Sequence, residues 1–448
     1  MPSVIIVGAG PVGSLNACFF AKKGWKVDLY DARPDFIEGN FNCIPGRMLN
    51  ISLSTRARTS LRAVGLEEKV LSLCTFQYGR LCKFVNSSNP VYLKYSENTD
   101  ECLASIDRCT LTKTLRIAAH QYPNVNFYFN HKLVSYQLER KELIFEKLEE
   151  NRNIFVTADL ICGCDGVFST LRRSFAALPG FQCEQKCIDH GYLEFNIPPT
   201  SNNQYALEPQ ATHIWPRGEF CMLGLANQDK SFSLALFAPW KLFKYFEVCT
   251  ESEIINFFET NFYDLLQLIG RKSIISTILN CRANSLISIK CKPYHLGDRV
   301  LLMGDAAHAM VPYFAQGLNC GFEDCLMLNN IIERHNGCIS SALEEYSLER
   351  CKNCHAMNDL SMYNYNELRK LICNDGFRVK KKLDALLNKY LKQNWMPLYS
   401  MVAFSQIPYS EVLERQNFQE KITNCVKWIS IGSFCGAIMT IIYILSLI

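Results

Sequence analysis

Three glycines and an aspartate near the start of the chain have the residue types and spacing needed to bind a phosphate-bridged nucleotide. Gly8, Gly10 and Gly13 form a GxGxxG turn. Glycines let the backbone approach phosphates, and a helix that begins in such a turn offers free N–H groups and a partial positive charge. Asp31 follows the turn by about 20 residues, and its carboxylate can accept hydrogen bonds from ribose hydroxyls. Asp28 is the alternative acceptor, and we favour Asp31 because it ends a strand.

The elements around this turn are those that a dinucleotide site requires. Residues 4–7 form a short apolar run, typical of a strand buried on both faces of a parallel sheet. Residues 11–23 are predicted to form a helix that ends at Gly24, and residues 25–30 a second strand. The context therefore favours a dinucleotide site over a structural turn, without deciding which dinucleotide binds.

Two later segments also place glycine and aspartate after apolar strands. The segment CDGVFSTLR, residues 164–172, puts Asp165 and Gly166 after one apolar run. The segment GDAAHAMVPYFAQGLN, residues 304–319, puts Gly304 and Asp305 directly after another. Open α/β sheets bind ligands beyond the carboxyl ends of their strands, so this position predicts a ligand contact.

Composition excludes some classes of function. The chain has 448 residues and a formal net charge of +4, which is too small to indicate nucleic-acid binding, and it has no basic stretch interleaved with aromatic residues. Its 22 cysteines are scattered through apolar runs, which indicates buried thiols in a reducing compartment rather than disulfides.

The C-terminal residues form a long apolar run. Residues 428–448 contain no charged side chain, and a bilayer span needs about 20 residues. Lys421 and Lys427 precede the run, so we expect a membrane helix with the rest of the chain on the cytosolic side. The alternative is a buried C-terminal helix.

The glycine turn and the two later motifs, in this order, resemble those of the single-component FAD-dependent aromatic hydroxylases. The resemblance implies an α/β fold with a Rossmann-like FAD-binding domain of discontinuous segments, an inserted β-rich substrate domain, a helical C-terminal part and one C-terminal transmembrane helix. We assign residues 1–74, 97–180 and 284–330 to the FAD-binding domain, 75–96 and 181–283 to the substrate domain, 331–425 to the helical part and 426–448 to the transmembrane tail.

The resemblance also implies the cofactor, FAD, and the co-substrate, NADPH. It implies no metal. The residues expected at the cofactor are Gly8, Gly10, Gly13, Asp31, Arg33, Arg108, Asp165, Gly304, Asp305, Gly317, Leu318 and Asn319.

Four further segments narrow the resemblance to one branch of this family. They are HGYLEFNIPP from residue 190, HIWPRG from 213, GFEDC from 321 and DLSMYNYNELR from 359. This branch implies hydroxylation of an aromatic amino acid with O2 through a flavin C4a-hydroperoxide, which requires an electron-rich ring such as an aniline. It also implies the mitochondrial outer membrane with the catalytic body facing the cytosol, although the tail does not exclude the endoplasmic reticulum.

The substrate residues follow from the same resemblance. Arginine binds a carboxylate through two parallel hydrogen bonds, and Arg80 coincides with the family's substrate arginine. Tyr95 is expected beside it, with Tyr92 as a rival. The other substrate-binding residues expected are Asn364, Tyr399 and Tyr313, and the residues expected at the reacting ring and flavin are Pro312, Phe314 and Gln316.

One position departs from the family pattern. The chain has Ala315 where the family usually has glycine, so an added methyl group strains the loop if this position requires a positive φ. His308 is interpreted as a loop-shaping residue rather than a base.

Two other functions stay open, a related FAD monooxygenase with another aromatic or lipid substrate and a membrane-anchored flavoprotein without turnover.

Overall fold

The computed structural model describes residues 1–35, 50–85, 89–96, 101–176, 178–367, 383–384 and 386–430, with the backbone alone at 393 and 424–430. Its strands, in chain order, are β1 Ser3–Val7, β2 Lys26–Tyr30, β3 Ile51–Leu53, β4 Thr75–Gln77, β5 Gly79–Cys82, β6 Val91–Lys94, β7 Leu103–Ile106, β8 Val125–Tyr128, β9 His131–Gln137, β10 Glu142–Lys147, β11 Arg152–Val156, β12 Leu160–Gly163, β13 Gln182–Ile197, β14 Ala211–Pro216, β15 Cys221–Ala226, β16 Phe232–Pro239, β17 Asn284–Lys292, β18 His295–Leu296 and β19 Val300–Leu302.

The helices include long ones near the C-terminal end and short ones beside the sheets. They are α1 Pro11–Lys22, α2 Thr55–Ala63, α3 Glu67–Leu71, α4 Arg108–His120, α5 Thr170–Phe175, α6 Trp240–Phe246, α7 Glu251–Asn261, α8 Tyr263–Ile269, α9 Arg271–Asn280, α10 Asp305–His308, α11 Gly317–Arg334, α12 Ile339–Asn366, α13 Leu398–Ala403 and α14 Tyr409–Ser430. Two short 3-10 helices lie at Pro312–Phe314 and Lys392–Asn394.

A six-stranded sheet in the order β18-β19-β12-β1-β2-β8 forms the core of the nucleotide-binding part. All neighbours in it are parallel except β18 and β19. Val4 to Val7 of β1 are buried, since β12 and β2 flank β1 and helices cover the sheet. The strand, glycine turn, helix and second strand predicted at the N-terminus are confirmed.

A seven-stranded sheet in the order β17-β13-β16-β15-β14-β5-β6 forms the second layer. Alternate residues of β13 separate its two faces. Leu193 and Phe195 pack into a core with the helices α6 to α9, whereas Tyr192 and Glu194 face a cavity. Strand β17 lies in this sheet beside β13, although our division places residue 284 onward in the FAD-binding segments. The division into domains stays a prediction.

The predicted fold class is wrong in one element, the C-terminal transmembrane helix. Within the described residues, we find no helix whose length and apolar character suffice for a membrane span. The last described helix, α14, carries charges that include Glu411, Glu414, Arg415 and Lys421. Of the predicted tail at 426–448, residues 431–448 lie outside the described residues.

Candidate functional site

The three glycines of the turn have different structural reasons to be glycine. Gly8 has φ 102°, and a Cβ there would lie 2.4 Å from the carbonyl oxygen of Cys164. A Cβ on Gly13 would lie 1.9 Å from the carbonyl oxygen of Gly8, so helix α1 packs on the turn only without a side chain. Gly10 has no atom within 4 Å of a Cβ position and borders a cavity. The turn thus leaves open backbone at the start of α1, as an anion requires.

Asp31 closes the other side of this turn. Its carboxylate accepts hydrogen bonds from the backbone N–H of Ala9 at 2.8 Å and from Arg33 Nε at 2.9 Å. Burial works to raise the pKa of Asp31, but the hydrogen bonds and charge of Arg33 outweigh it, and the pKa lies below its ordinary value. The carboxylate is therefore ionised, and it also accepts from the backbone N–H of Arg33 and from Arg33 Nη2, so the arginine is fixed beside the turn. Asp28 instead accepts from Asn126 Nδ2 at 2.8 Å, outside the cavity lining.

The cavity has a volume of about 870 Å³, within the range of cofactor sites. It runs from the glycine turn along the seven-stranded sheet. The residues predicted for the cofactor that line it are Gly8, Gly10, Asp31, Arg33, Arg108, Asp165, Asp305, Gly317 and Leu318. The residues predicted for substrate and reaction that line it are Arg80, Tyr95, Pro312, Tyr313, Phe314 and Tyr399.

The motif of residues 304–319 contributes one wall of this cavity. Gly304 has φ 57° and donates its N–H to Asp324 Oδ2 at 2.9 Å, which turns the chain from β19 into α10. Asp305 opens α10 and lines the cavity. Gly304 itself does not line the cavity, because its Cα side packs on Val12, so its part in the site is to shape the turn.

Arg80 lies at the far end of the cavity from the glycine turn, on strand β5. Its guanidinium carbon is 4.5 Å from the ring centroid of Tyr399 and 5.6 Å from that of Tyr95. Among the described residues, no carboxylate forms an ion pair with it within 4 Å. Burial works to lower the pKa of Arg80, while the interaction with Tyr399 raises it, and the net pKa lies above the ordinary value. The charge of the buried Glu367 also raises the pKa of Arg80, so the cavity wall carries a permanent cation.

An aromatic wall surrounds this cation. Tyr95 and Tyr399 stack with ring centroids 4.8 Å apart, and Phe314 also stacks with Tyr399, with centroids 5.8 Å apart. The Tyr95 hydroxyl donates to Thr212 Oγ1 at 2.9 Å. Tyr92, the rival of Tyr95, is 46% exposed and lies outside the cavity lining. Such a wall can hold a flat aromatic ring in a fixed orientation.

Besides Gly304, four predicted site residues lie outside the cavity lining. Asn364 Nδ2 donates to the Tyr313 carbonyl at 2.7 Å, and Gln316 Oε1 accepts from the Tyr409 hydroxyl at 3.1 Å. Asn319 is saturated, since it accepts from Ser54 N–H and donates to two carbonyl oxygens. Gly13, the fourth, is closed off by α1 packing. The side chains of Asn364, Gln316 and Asn319 contact the backbone of the loop at 312–317, and their predicted contacts with a ligand stay a prediction.

A buried cluster of charged residues lies next to the loop at 312–317. Arg350 pairs with Asp324 at 2.7 Å and with Glu323 at 2.8 Å, and His308 Nε2 lies 2.6 Å from Asp324. Burial works to lower the pKa of His308, but the charge of Asp324 outweighs it and raises that pKa well above its ordinary value. His308 is fully buried outside the cavity lining, so its place fits a loop-shaping residue. Cys320 and Cys354 lie beside the cluster, with their Sγ atoms 3.6 Å apart.

Sequence reasoning missed several residues of the site. Arg116, at 2% exposure, donates from Nε to the carbonyl of Ala9 in the glycine turn at 2.8 Å. No motif marks it, because it lies mid-helix in α4. The cavity side of the seven-stranded sheet was also missed, including Tyr192, Glu194 and Phe237. The sequence signal for Tyr192 and Glu194 was the alternation of side chains along β13, in which these two residues point to the face opposite that of the core residues.

The residues present fit FAD. Open backbone at Gly10 suits a pyrophosphate, and the ionised Asp31 suits a ribose. The cavity continues past Asp305 to the 312–317 loop, so a long cofactor placed on the turn reaches the aromatic end. The fit rests on the shape of the turn and the donor set.

Comparison with known proteins supports the same assignment. A family model described as "FAD binding domain" matches residues 1–361. The kynurenine 3-monooxygenase of Caenorhabditis briggsae is 41% identical over 98% of this chain and 97% of that protein, and that of Sus scrofa is 38% identical over 94% and 88%.

Solved structures share the fold at lower identity. The tetrameric form of 2-methyl-3-hydroxypyridine-5-carboxylic acid oxygenase superposes with a TM-score of 0.66 at 20% identity, covering 82% of this chain and 93% of that one. PqsL of P. aeruginosa in complex with 2-aminobenzoylacetate gives 0.64 at 18% identity, covering 82% and 96%. Because relatives at 38–41% identity span nearly the whole chain and its FAD-binding domain is matched, this chain belongs to the kynurenine 3-monooxygenase family of FAD-dependent enzymes.

Proposed function

We propose that this chain hydroxylates L-kynurenine to 3-hydroxy-L-kynurenine, with FAD as cofactor and NADPH and O2 as co-substrates. The observation that carries the proposal is Arg80 at the aromatic end of the same cavity that begins at the glycine turn. An amino-acid carboxylate fits the cation, and an aniline ring fits the aromatic wall. The relatives named above act on kynurenine by their names, which supports this choice among aromatic amino acids.

In this proposal the chain's own residues orient the substrate. Arg80 binds the carboxylate through its planar fork, and its guanidinium lies against the stacked pair of Tyr399 and Tyr95. Tyr313 and Phe314 of the loop at 312–317, both under 10% exposed, contact the aniline ring and exclude water from it. When FAD is bound and reduced by NADPH, it would supply the activation of O2, from which the transferred oxygen atom comes. The ring amine supplies electrons to the attacked carbon, so no side chain has to remove a proton first.

Each group of cofactor residues is assigned to a different part of FAD. Gly8 and Gly10 hold the pyrophosphate at the start of α1, Asp31 and Arg33 the ribose end, and Asp305 the region towards the flavin. Gln316, Asn319 and Asn364 act through the loop at 312–317, because their side chains contact that loop's backbone and neighbours.

The test is an aerobic assay of the FAD-loaded full chain with kynurenine and NADPH. We expect one 3-hydroxykynurenine formed per NADPH and O2 consumed, measured by mass spectrometry and oxygen uptake. Anthranilate and D-kynurenine serve as matched controls, since they keep the aniline ring and change the amino-acid end. Absence of hydroxylated product with fully bound FAD would overturn the proposal.

We also propose the mitochondrial outer membrane as the cellular location, with the catalytic body facing the cytosol. Support comes from the family resemblance. Fractionation of cells that express the tagged chain, followed by protease treatment of intact mitochondria, tests it. Enrichment with endoplasmic reticulum markers, or protection from protease, would contradict it.

A further inference from the structure

Tyr313 lines the cavity on the loop between α10 and α11, and two neighbouring residues of helix α12 hold it. The backbone carbonyl of Tyr313 accepts from Asn364 Nδ2 at 2.7 Å. Its ring packs against the ring of Tyr365 at 4.8 Å and against Phe237 of β16 at 5.1 Å. Both the backbone and the ring of this cavity residue are thus set by α12 and by the seven-stranded sheet.

Tyr365 is in turn held by a histidine of the sheet. The Tyr365 hydroxyl lies 2.7 Å from His190 Nδ1, and His190 Nε2 lies 3.1 Å from the backbone carbonyl of Glu219. A carbonyl oxygen only accepts, so Nε2 carries the hydrogen and donates. Nδ1 and the Tyr365 hydroxyl form the second hydrogen bond of this chain. The two hydrogen bonds tie the Tyr365 hydroxyl to strand β13 and to the backbone of Glu219.

The backbone places His190 for this contact. The register between β13 and β17 shifts between Cys187 and Gly191, so His190 lies in a bulge, and bulges re-aim side chains. His190 is 5% exposed and Tyr365 is 7% exposed. Their hydrogen bond is therefore shielded from water, and its loss is not replaced by solvent. Neither His190 nor Tyr365 lines the cavity among the described residues, and Tyr365 reaches it only through Tyr313.

We propose that His190 and Tyr365 are positioning residues that lock the Tyr313 ring against the substrate and so decide how much of the NADPH consumed ends in hydroxylated product. The inference rests on the proposed function. With the ring in place, NADPH, H+, O2 and substrate give NADP+, H2O and the hydroxylated substrate. With the ring displaced, the same NADPH, H+ and O2 give NADP+ and H2O2, and the substrate leaves unchanged. Correct placement of the reacting ring decides between the two outcomes.

The test compares two tyrosines of the same helix in FAD-loaded full-length chain. Tyr365→Phe removes the hydroxyl that pairs with His190, and Tyr363→Phe removes a hydroxyl that donates to Glu420 at the same 2.7 Å distance. We expect Tyr365→Phe to lower product per NADPH by about fivefold, the value of one lost hydrogen bond, with H2O2 making up the difference. Tyr363→Phe should keep the wild-type ratio.

A second pair of variants separates positioning from stability. His190→Gln keeps an acceptor and a donor in roughly the original places and should retain most of the coupling, whereas His190→Leu should lose it. FAD content and the KM for kynurenine should stay near wild type in all four variants. The inference is overturned if Tyr365→Phe couples like wild type, or if Tyr363→Phe uncouples equally. A wild-type chain that forms no product at all would overturn the proposed function instead.

Discussion

The guanidinium carbon of Arg80 lies 4.5 Å above the ring of Tyr399, although Arg80 belongs to strand β5 and Tyr399 to helix α13. The contact joins the seven-stranded sheet to the C-terminal helices at the aromatic end of the cavity. An arginine stacked in this way keeps its planar fork in one orientation, with its hydrogen-bond donors directed along the plane. The substrate end of the site is therefore built from parts that are distant in the chain.

Arg80→Lys should weaken substrate binding while FAD stays bound. Lysine keeps the charge but loses the fork and the stacking on Tyr399, so we expect KM for kynurenine to rise by about tenfold to a hundredfold. Steady-state kinetics and flavin absorbance measure the two effects. Kynuramine, which lacks the carboxylate, is the control substrate, and the variant should process it like wild type. A variant purified without flavin would show that Arg80 serves the cofactor instead.

Ala315→Gly should stabilise the loop beside the flavin. Ala315 has φ 53° and ψ 34°, the left-handed region in which a Cβ costs about 1–2 kcal/mol. Glycine removes this strain but adds freedom to the unfolded chain, so we expect a net gain of about 1 kcal/mol in the free energy of unfolding. Urea denaturation measures it. Ala315→Val should have the opposite sign, and Ala342→Gly, within α12, should destabilise. Equal stability of all variants would contradict the strain.

Gln316→Ala should act on stability through Tyr409. The Gln316 carbonyl oxygen accepts from the Tyr409 hydroxyl in a fully buried place, and an unpaired buried hydroxyl costs about 1–3 kcal/mol. Gln316→Ala and Tyr409→Phe should each destabilise the chain, and the double variant should be no worse than the more severe single one. If kcat falls steeply in Gln316→Ala but not in Tyr409→Phe, Gln316 contacts the reacting atoms instead.

The stability of the chain should fall between pH 6.5 and pH 4 in part because of His213. Burial lowers the pKa of His213 from 6.5 to about 4, more than the hydrogen bond to the Glu208 carbonyl raises it. Below pH 6.5 the unfolded chain binds a proton that the folded chain does not, so stability is lost as the pH falls, by about 3 kcal/mol at pH 4.

His213→Gln is the variant that checks this pH dependence. Glutamine does not titrate and can still donate to the carbonyl that His213 contacts. The difference in unfolding free energy between wild type and variant should therefore shrink, or change sign, from pH 7.5 to pH 4.5. Parallel profiles across that range would show that His213 is not buried in its neutral form.

Local chemistry determined much of this protein in advance. The glycine turn, the aspartate that ends β2 and the motif at 304–319 are contiguous signals, since backbone geometry and strand ends act within a few residues. Family motifs supplied the cofactor and reaction, which the relatives bear out. The sequence predicts strain at Ala315 if its φ is positive, and φ is 53°. The membrane helix was predicted from apolar length, and the described chain does not contain one.

The tertiary structure decided which side chains face the cavity. Gln316, Asn319 and Asn364 lie in the right motifs, yet their side chains point to Tyr409, Ser54 and the Tyr313 backbone. Spacing along the chain cannot reveal this, because a turn at positive φ and the packing of two helices redirect each side chain. The contacts of Arg80 with Tyr399 and of His190 with Tyr365 join elements far apart in sequence. Only the packing of the sheet against the C-terminal helices brings them together.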